Sequence, residues 1–113
     1  MRGSSRTMAE PRVSAPIFAA LGDETRLRLV TRLCHGGPMS ITRLTAGTHI
    51  TRQAITKHLR VMQEAGLVHS TRNGRESVWQ LEAHRLEEAL CYVAQISKQW
   101  DAALARLRKF VED

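Results

Sequence analysis

The chain has 113 residues, 42% hydrophobic and 25% charged, which suits one folded domain and leaves too little for two cores. Its net charge of +6 is unevenly placed: residues 1–80 hold 12 Lys/Arg against 5 Asp/Glu, and residues 81–113 hold 5 against 6. An anionic partner, nucleic acid or an acidic membrane surface, is therefore expected for the body and not the tail. No apolar run approaches the roughly 20 residues of a membrane span, and no secretory apolar segment opens the chain. Two cysteines are too few for a disulfide scaffold, so a reducing cytoplasm is the expected compartment.

Residues 1–12 are expected to be a disordered leader, with 1–7 readable as a tag remnant ahead of Met8, and residues 13–113 to form the domain. A first helix is predicted over 15–21, with Pro16 in its first turn and Gly22 ending it. Asp23 is placed to cap a second helix over 24–34, with Leu27, Val30 and Cys34 on one stripe and Leu29 and Leu33 beside it. Gly36-Gly37-Pro38 stops that helix. Ser40 is placed to cap a short helix over 41–46 that buries Ile41 and Leu44, followed by Gly47 and a turn at Thr48-His49-Ile50. Thr51 is the expected cap of the next helix, 51–65, and Gly66 stands where a left-handed residue ends a helix.

Runs 67–72 and 75–81 flank Asn73-Gly74, the strongest short-range signal for a hairpin. A two-residue turn there would set Val68 opposite Trp79, with Arg72 and Arg75 at the tip. From 83 to 112 there is no Gly or Pro, so one helix of roughly 40 Å is predicted, at 1.5 Å per residue. The fold class is mainly α with a small β-hairpin (α+β): about five helices and a two-stranded wing, a winged helix-turn-helix.

The helix 51–65 divides into two faces. Ile55, Leu59 and Met62 share the core side, with Ala54 and His58 at its edges. Gln53, Thr56, Lys57 and Arg60 recur at i, i+3, i+4 and i+7 on the other side, with Arg52 in the first turn. That face holds no carboxylate, and its residue types suit base edges and phosphates. Taken alone it would be an ordinary solvated face. The short helix, the turn and the basic hairpin beside it make double-stranded DNA the expected partner, with Ser40, Thr51, Arg52, Gln53, Thr56, Lys57, Arg60, Arg72, Asn73 and Arg75 as the candidate contacts.

In the last helix Leu86, Leu90, Val93, Ser97, Trp100, Leu104, Leu107 and Val111 alternate spacings of four and three, a heptad-like seam. Ala89, Ile96 and Ala103 widen it, so 83–112 is expected to pack on its own domain and on a second copy of the chain. Ile17, Phe18, Leu21, Leu90, Val93, Trp100, Leu104 and Leu107 are the candidate dimer residues.

The chain resembles the ArsR/SmtB family of bacterial winged-helix repressors. The resemblance is carried by Ala20-Leu21-Gly22-Asp23-Glu24-Thr25-Arg26-Leu27-Arg28-Leu29 and by Thr51-Arg52-Gln53-Ala54-Ile55-Thr56-Lys57-His58-Leu59-Arg60-Val61-Met62. Glu64-Ala65-Gly66-Leu67-Val68 and the wing Arg72-Asn73-Gly74-Arg75 complete it, over about residues 15–112. It implies a homodimer that binds operator DNA, here expected to be palindromic, and usually represses. The family's thiol site needs cysteines in the segment Ser40-Ile41-Thr42-Arg43-Leu44-Thr45, which has none; its C-terminal zinc site needs spaced Asp and His, and only His84 is offered. No metal and no cofactor are expected, and the residues name no small-molecule effector.

Cys34 and Cys91 admit two readings: buried or half-buried structural thiols, or a redox-responsive pair. Cys34-His35 lacks a second pair at ligand spacing, and His49, His69 and His84 are scattered edge residues. There is no phosphate loop, nucleophile elbow or carboxylate pair, so no enzyme is expected. The alternatives to a homodimeric repressor are a thiol- or ligand-responsive sensor and a winged-helix module that binds protein.

Overall fold

The computed structural model describes residues 11–112. Residues 1–10 of the expected leader lie outside the described residues; its last two, Pro11 and Arg12, are helical. Helix α1 spans Pro11–Leu21, so it starts four residues before the predicted 15 and carries Pro16 inside it rather than in its first turn. Proline removes one backbone bond there. Against that loss, Ser14, Ile17 and Ala20 stack on one face and are all buried, which extends the helix backward through Pro16.

Helix α2 (Glu24–Gly36) is capped by Asp23, whose Oδ2 accepts from the Arg26 N–H at 3.0 Å. Its inward stripe is Leu29 and Leu33, with Val30 half-buried. Leu27 is 48% exposed and Cys34 is exposed, a correction to the predicted stripe: the neighbouring elements select the row four apart that begins at Leu29. Gly37, at φ +71°, closes the helix by returning its N–H to the Leu33 carbonyl.

Two residues, Met39–Ser40, then form strand β1, which sequence reading missed. Helix α3 (Ile41–Thr45) follows, with Leu44 fully buried and Ile41 half-buried, and then helix α4 (Arg52–Glu64). Gly66, at φ +83°, and Leu67 end α4 with paired bonds: Gly66 N–H to Gln63 O at 3.0 Å and Leu67 N–H to Met62 O at 2.9 Å.

Strands β2 (Val68–Asn73) and β3 (Glu76–Leu81) form the wing, and the sheet order is β1-β3-β2, antiparallel throughout. β2 and β3 are the two-stranded wing expected, and β1 adds a third strand at its base, with Met39 opposite Trp79. The hairpin register differs. Asn73 pairs with Glu76 and Val68 with Leu81, while Ser70 faces Trp79. The loop is Gly74-Arg75, because only Gly74 has positive φ; a turn centred on Asn73-Gly74 would ask it of Asn73 as well. The slip is two residues, an even number, so Val68 and Trp79 still face inward and both are buried.

Helix α5 (Ala83–Glu112) is continuous as predicted. Its first half packs on α1, where the Phe18 and Tyr92 rings lie 6.1 Å apart. The core that joins these elements is led by Ile17, Leu44, Ile55, Leu59, Met62, Leu67, Val68 and Trp79.

Because any side chain at position 66 must take up a left-handed backbone against Arg85, Gly66→Ala is expected to cost about 1–2 kcal/mol of unfolding free energy in urea denaturation. The same change at Gly22, whose φ is not positive, should cost less.

Candidate nucleic-acid interface

Burial of Ile55, Leu59 and Met62 sets the rotation of α4 about its axis. The opposite side then has to face solvent. Gln53, Lys57 and Arg60 are exposed there, with Thr56 half-buried, and together with Ala54 they line a shallow open depression. Thr51 caps α4 through Oγ1, which accepts from the Ala54 N–H at 3.1 Å. The positive end of the helix macrodipole therefore lies at Arg52, beside the depression.

Besides Thr51, three of the candidate side chains have structural partners. The Arg52 Nη1 donates to Thr42 Oγ1 on α3 at 3.0 Å, bracing the two helices against each other. The Thr56 hydroxyl donates to the Arg52 carbonyl at 2.8 Å. Ser40 stands apart from the exposed set: it is buried, and its Oγ accepts from the Arg43 N–H as the cap of α3. Arg72, Asn73 and Arg75 are exposed at the wing tip, with Arg75 in the loop itself rather than on the strand.

Sequence reading missed the residues that hold this surface in place. Arg26 Nε donates to the Ala20 carbonyl at 2.6 Å, and its Nη1 lies 3.3 Å from His58 Nδ1 on α4. His58 Nδ1 is also 3.9 Å from Asp23 Oδ2. This cluster ties the end of α1 and the start of α2 to the recognition helix. The Arg26 backbone N–H that Asp23 accepts holds its carboxyl below the usual value of 3.8, against the desolvation that would raise it; the charges of Arg26 and His58 lower it further. Arg32 reaches from α2 to the carbonyls at the end of α3. Nothing in the spacing of the sequence signals these contacts, which join residues up to 35 positions apart.

Several earlier expectations change. Ile17 is 1% exposed, and Leu21 is half-buried against the core. Phe18, Leu90, Val93, Trp100, Leu104 and Leu107 are exposed. Cys34 and Cys91 are both exposed, so neither is the buried structural thiol first expected. His49 and His84 are exposed, and His69 is half-buried with Nδ1 2.9 Å from Glu82 Oε2. Among the described residues no three His, Cys, Asp or Glu side chains gather as a metal site, and no helix is long and apolar enough to cross a membrane.

A short supporting helix, a tight turn, a basic recognition helix and a β-wing define a winged helix-turn-helix, a DNA-binding module. Residues 21–71 match the family model described as a helix-turn-helix domain. The chain is 43% identical over 68 residues to YuzN of Bacillus subtilis, an uncharacterized HTH-type transcriptional regulator, spanning 55% of this chain and 74% of that one. It is 29% identical over 80 residues to the arsenical resistance operon repressor of the same bacterium, covering 67% of this chain and 76% of the repressor. In structure it resembles an ArsR-like transcriptional regulator from Rhodococcus sp. RHA1, with TM-score 0.74, 34% identity, and coverage of 88% of this chain and 92% of that one. The chain belongs to the ArsR family of winged helix-turn-helix transcriptional regulators and is a DNA-binding regulator of transcription.

The lowered Asp23 carboxyl sets a pH dependence. Its ionised form contributes stability above 3.8 that is lost as pH falls through the lower folded-state value. Asp23→Asn keeps a capping oxygen but removes the charge. It is expected to melt below the parent protein at pH 7, with the gap closing on acidification below 3.8. Thermal unfolding across pH checks this; a gap that stays constant into strong acid would exclude the charge as its cause.

Proposed function

We propose that the chain is a homodimeric repressor, acting in the cytoplasm, that reads an imperfect palindrome. Arg52, Gln53, Thr56, Lys57 and Arg60 enter successive major grooves, Thr51 meets a phosphate at the start of α4, and Arg72, Asn73 and Arg75 lie along the backbone or minor groove. The observation that carries this reading is the exposed, carboxylate-free face of Gln53, Lys57 and Arg60 beside the basic wing tip. In this reading residues 13–113 are the DNA-binding domain and 83–112 its dimerisation helix. The second half of α5 supports the dimer. Trp100 is 63% and Leu107 60% exposed, and Val93 and Leu104 lie on the same side, an apolar stripe of the sort that second copies cover.

Binding to the chain's own upstream DNA should weaken steeply with salt. Lys57→Ala is expected to make the slope of log K against log salt shallower by about one unit. Gln53→Ala is expected to lower operator affinity by about tenfold or more while leaving non-specific binding nearly unchanged. Fluorescence anisotropy on operator and scrambled duplexes reads both. If both variants matched the parent protein, the recognition face would be elsewhere.

The double variant Trp100→Glu, Leu104→Glu places charge in the proposed interface and is expected to give a monomer by light scattering, with helical circular dichroism retained. A dimer that survived this change would move the interface off α5. A thiol-responsive reading is favoured by one observation, the exposure of both Cys34 and Cys91. Under it, oxidant should abolish the gel shift and Cys34→Ser should restore it.

A further inference from the structure

We infer that Arg32, which reads no base itself, is the positioning residue that sets the angle between α3 and the recognition helix and so separates operator from non-specific DNA; this rests on the DNA-reading face proposed above. The inference follows from the hydrogen bonds of α3. That helix has five residues, far below the roughly 12–15 that let a helix persist unaided. Its last carbonyls have no following turn to receive them. Thr45 Oγ1 donates to the Ile41 carbonyl, the Ala46 N–H is shared between the Thr42 and Arg43 carbonyls at 3.2 and 3.3 Å, and both N–H and Oγ1 of Thr48 donate to Thr45, at 3.1 and 2.8 Å. The Leu44 and Ala46 carbonyls fall to Arg32, whose Nη1 reaches them at 2.7 and 3.4 Å. Its Nη2 takes the Arg43 carbonyl at 2.8 Å.

One guanidinium thus closes the end of α3 from a different helix. Its placement is favourable for a second reason, since a cation stands at the negative end of a helix dipole. The group also lies at the start of the turn that delivers Thr51. A change in the angle of α3 would therefore shift the first turn of α4, where Arg52 is tied back to Thr42. Lysine does not substitute, because its ammonium has no planar fork to span the Arg43 and Leu44 carbonyls. Both terminal nitrogens of Arg32 are bound to backbone carbonyls, and this separates it from Lys57 and Arg60, which are exposed on the outer face of α4.

The test uses the full chain, with Arg32→Gln and Arg32→Lys. For Arg32→Gln, operator affinity is expected to fall by about tenfold or more, since bonds to a charged donor are lost. Non-specific affinity and the salt slope should hold, as should helical circular dichroism. Arg32→Lys should fall between the two proteins, and it serves as the measured variant if the glutamine form does not fold. Amide hydrogen exchange supplies a readout independent of DNA. Ala46, Thr48 and Ile50 should lose protection in Arg32→Gln while Ile55 and Leu59 keep theirs. Unchanged operator affinity, or unchanged exchange at the turn, overturns the inference. So does a joint fall of operator and non-specific binding with a slope shallower by about one unit, which marks a direct phosphate contact. If the wild-type chain bound no DNA in a salt-dependent manner, the recognition-face reading would fail instead, and the exchange result would still stand by itself.

Discussion

Three side chains at helical spacing, Ile55, Leu59 and Met62, have no solvent exposure, and the surface chemistry of this protein depends on that burial. A helix anchored by one row has one rotation about its axis, and what lies opposite is then settled by the 3.6-residue period. Here the opposite row is Gln53, Lys57 and Arg60. Rotating α4 by one residue in one sense would bring Arg60 toward the core, where an unpaired charge carries a heavy desolvation cost, and in the other sense would bring in His58. The apolar row therefore holds the basic row outward as firmly as it holds the core together.

Rotation alone leaves the tilt of α4 undetermined, and tilt is governed by small elements. β1 is two residues long, yet it locks Met39 against Trp79 and stitches the chain entering α3 to the wing. α3 is five residues long and is completed by Arg32 from α2. The Asp23, Arg26 and His58 cluster joins the α1–α2 junction to the middle of α4. Each of these contacts is modest in energy. Together they hold α4 and the wing on one frame.

Much of this was legible in the residues, for local reasons. The caps Asp23, Ser40 and Thr51, the left-handed Gly66 and the two faces of α4 all depend on neighbours within four positions. What was not legible was non-local or degenerate. A two-residue strand shows no alternation to detect. In α2, Leu27, Leu29, Val30, Leu33 and Cys34 support two overlapping stripes, and only the packing against other elements selects Leu29 and Leu33. Asn73-Gly74 permits more than one two-residue loop, and the sequence spacing does not choose between them. The wing arginines consequently differ in kind: Arg72 is held on a strand, while Arg75 rides in the loop. Arg32 carries no signal at all, because a guanidinium twelve residues from its acceptor looks like any surface arginine.

The last helix raises the remaining question of what its length is for. At about 1.5 Å per residue its 30 residues run some 45 Å. The part that serves the chain's own core is the first half, where Leu86 and Ala89 pack inward and Tyr92 meets Phe18. Ile96 and Ala103 remain half-buried, and beyond them every described residue is exposed. The apolar spacing nonetheless continues through Leu104, Leu107 and Val111 without a break. A helix needed only as a lid would turn polar where its core ends, since exposed leucine and tryptophan add aggregation risk and no stability. Apolar periodicity that outlasts the core it covers is therefore best explained by a second apolar surface. A two-fold pair of such helices would also set the spacing between two recognition helices, so the same stripe that hides Trp100 would decide how far apart two half-sites can lie.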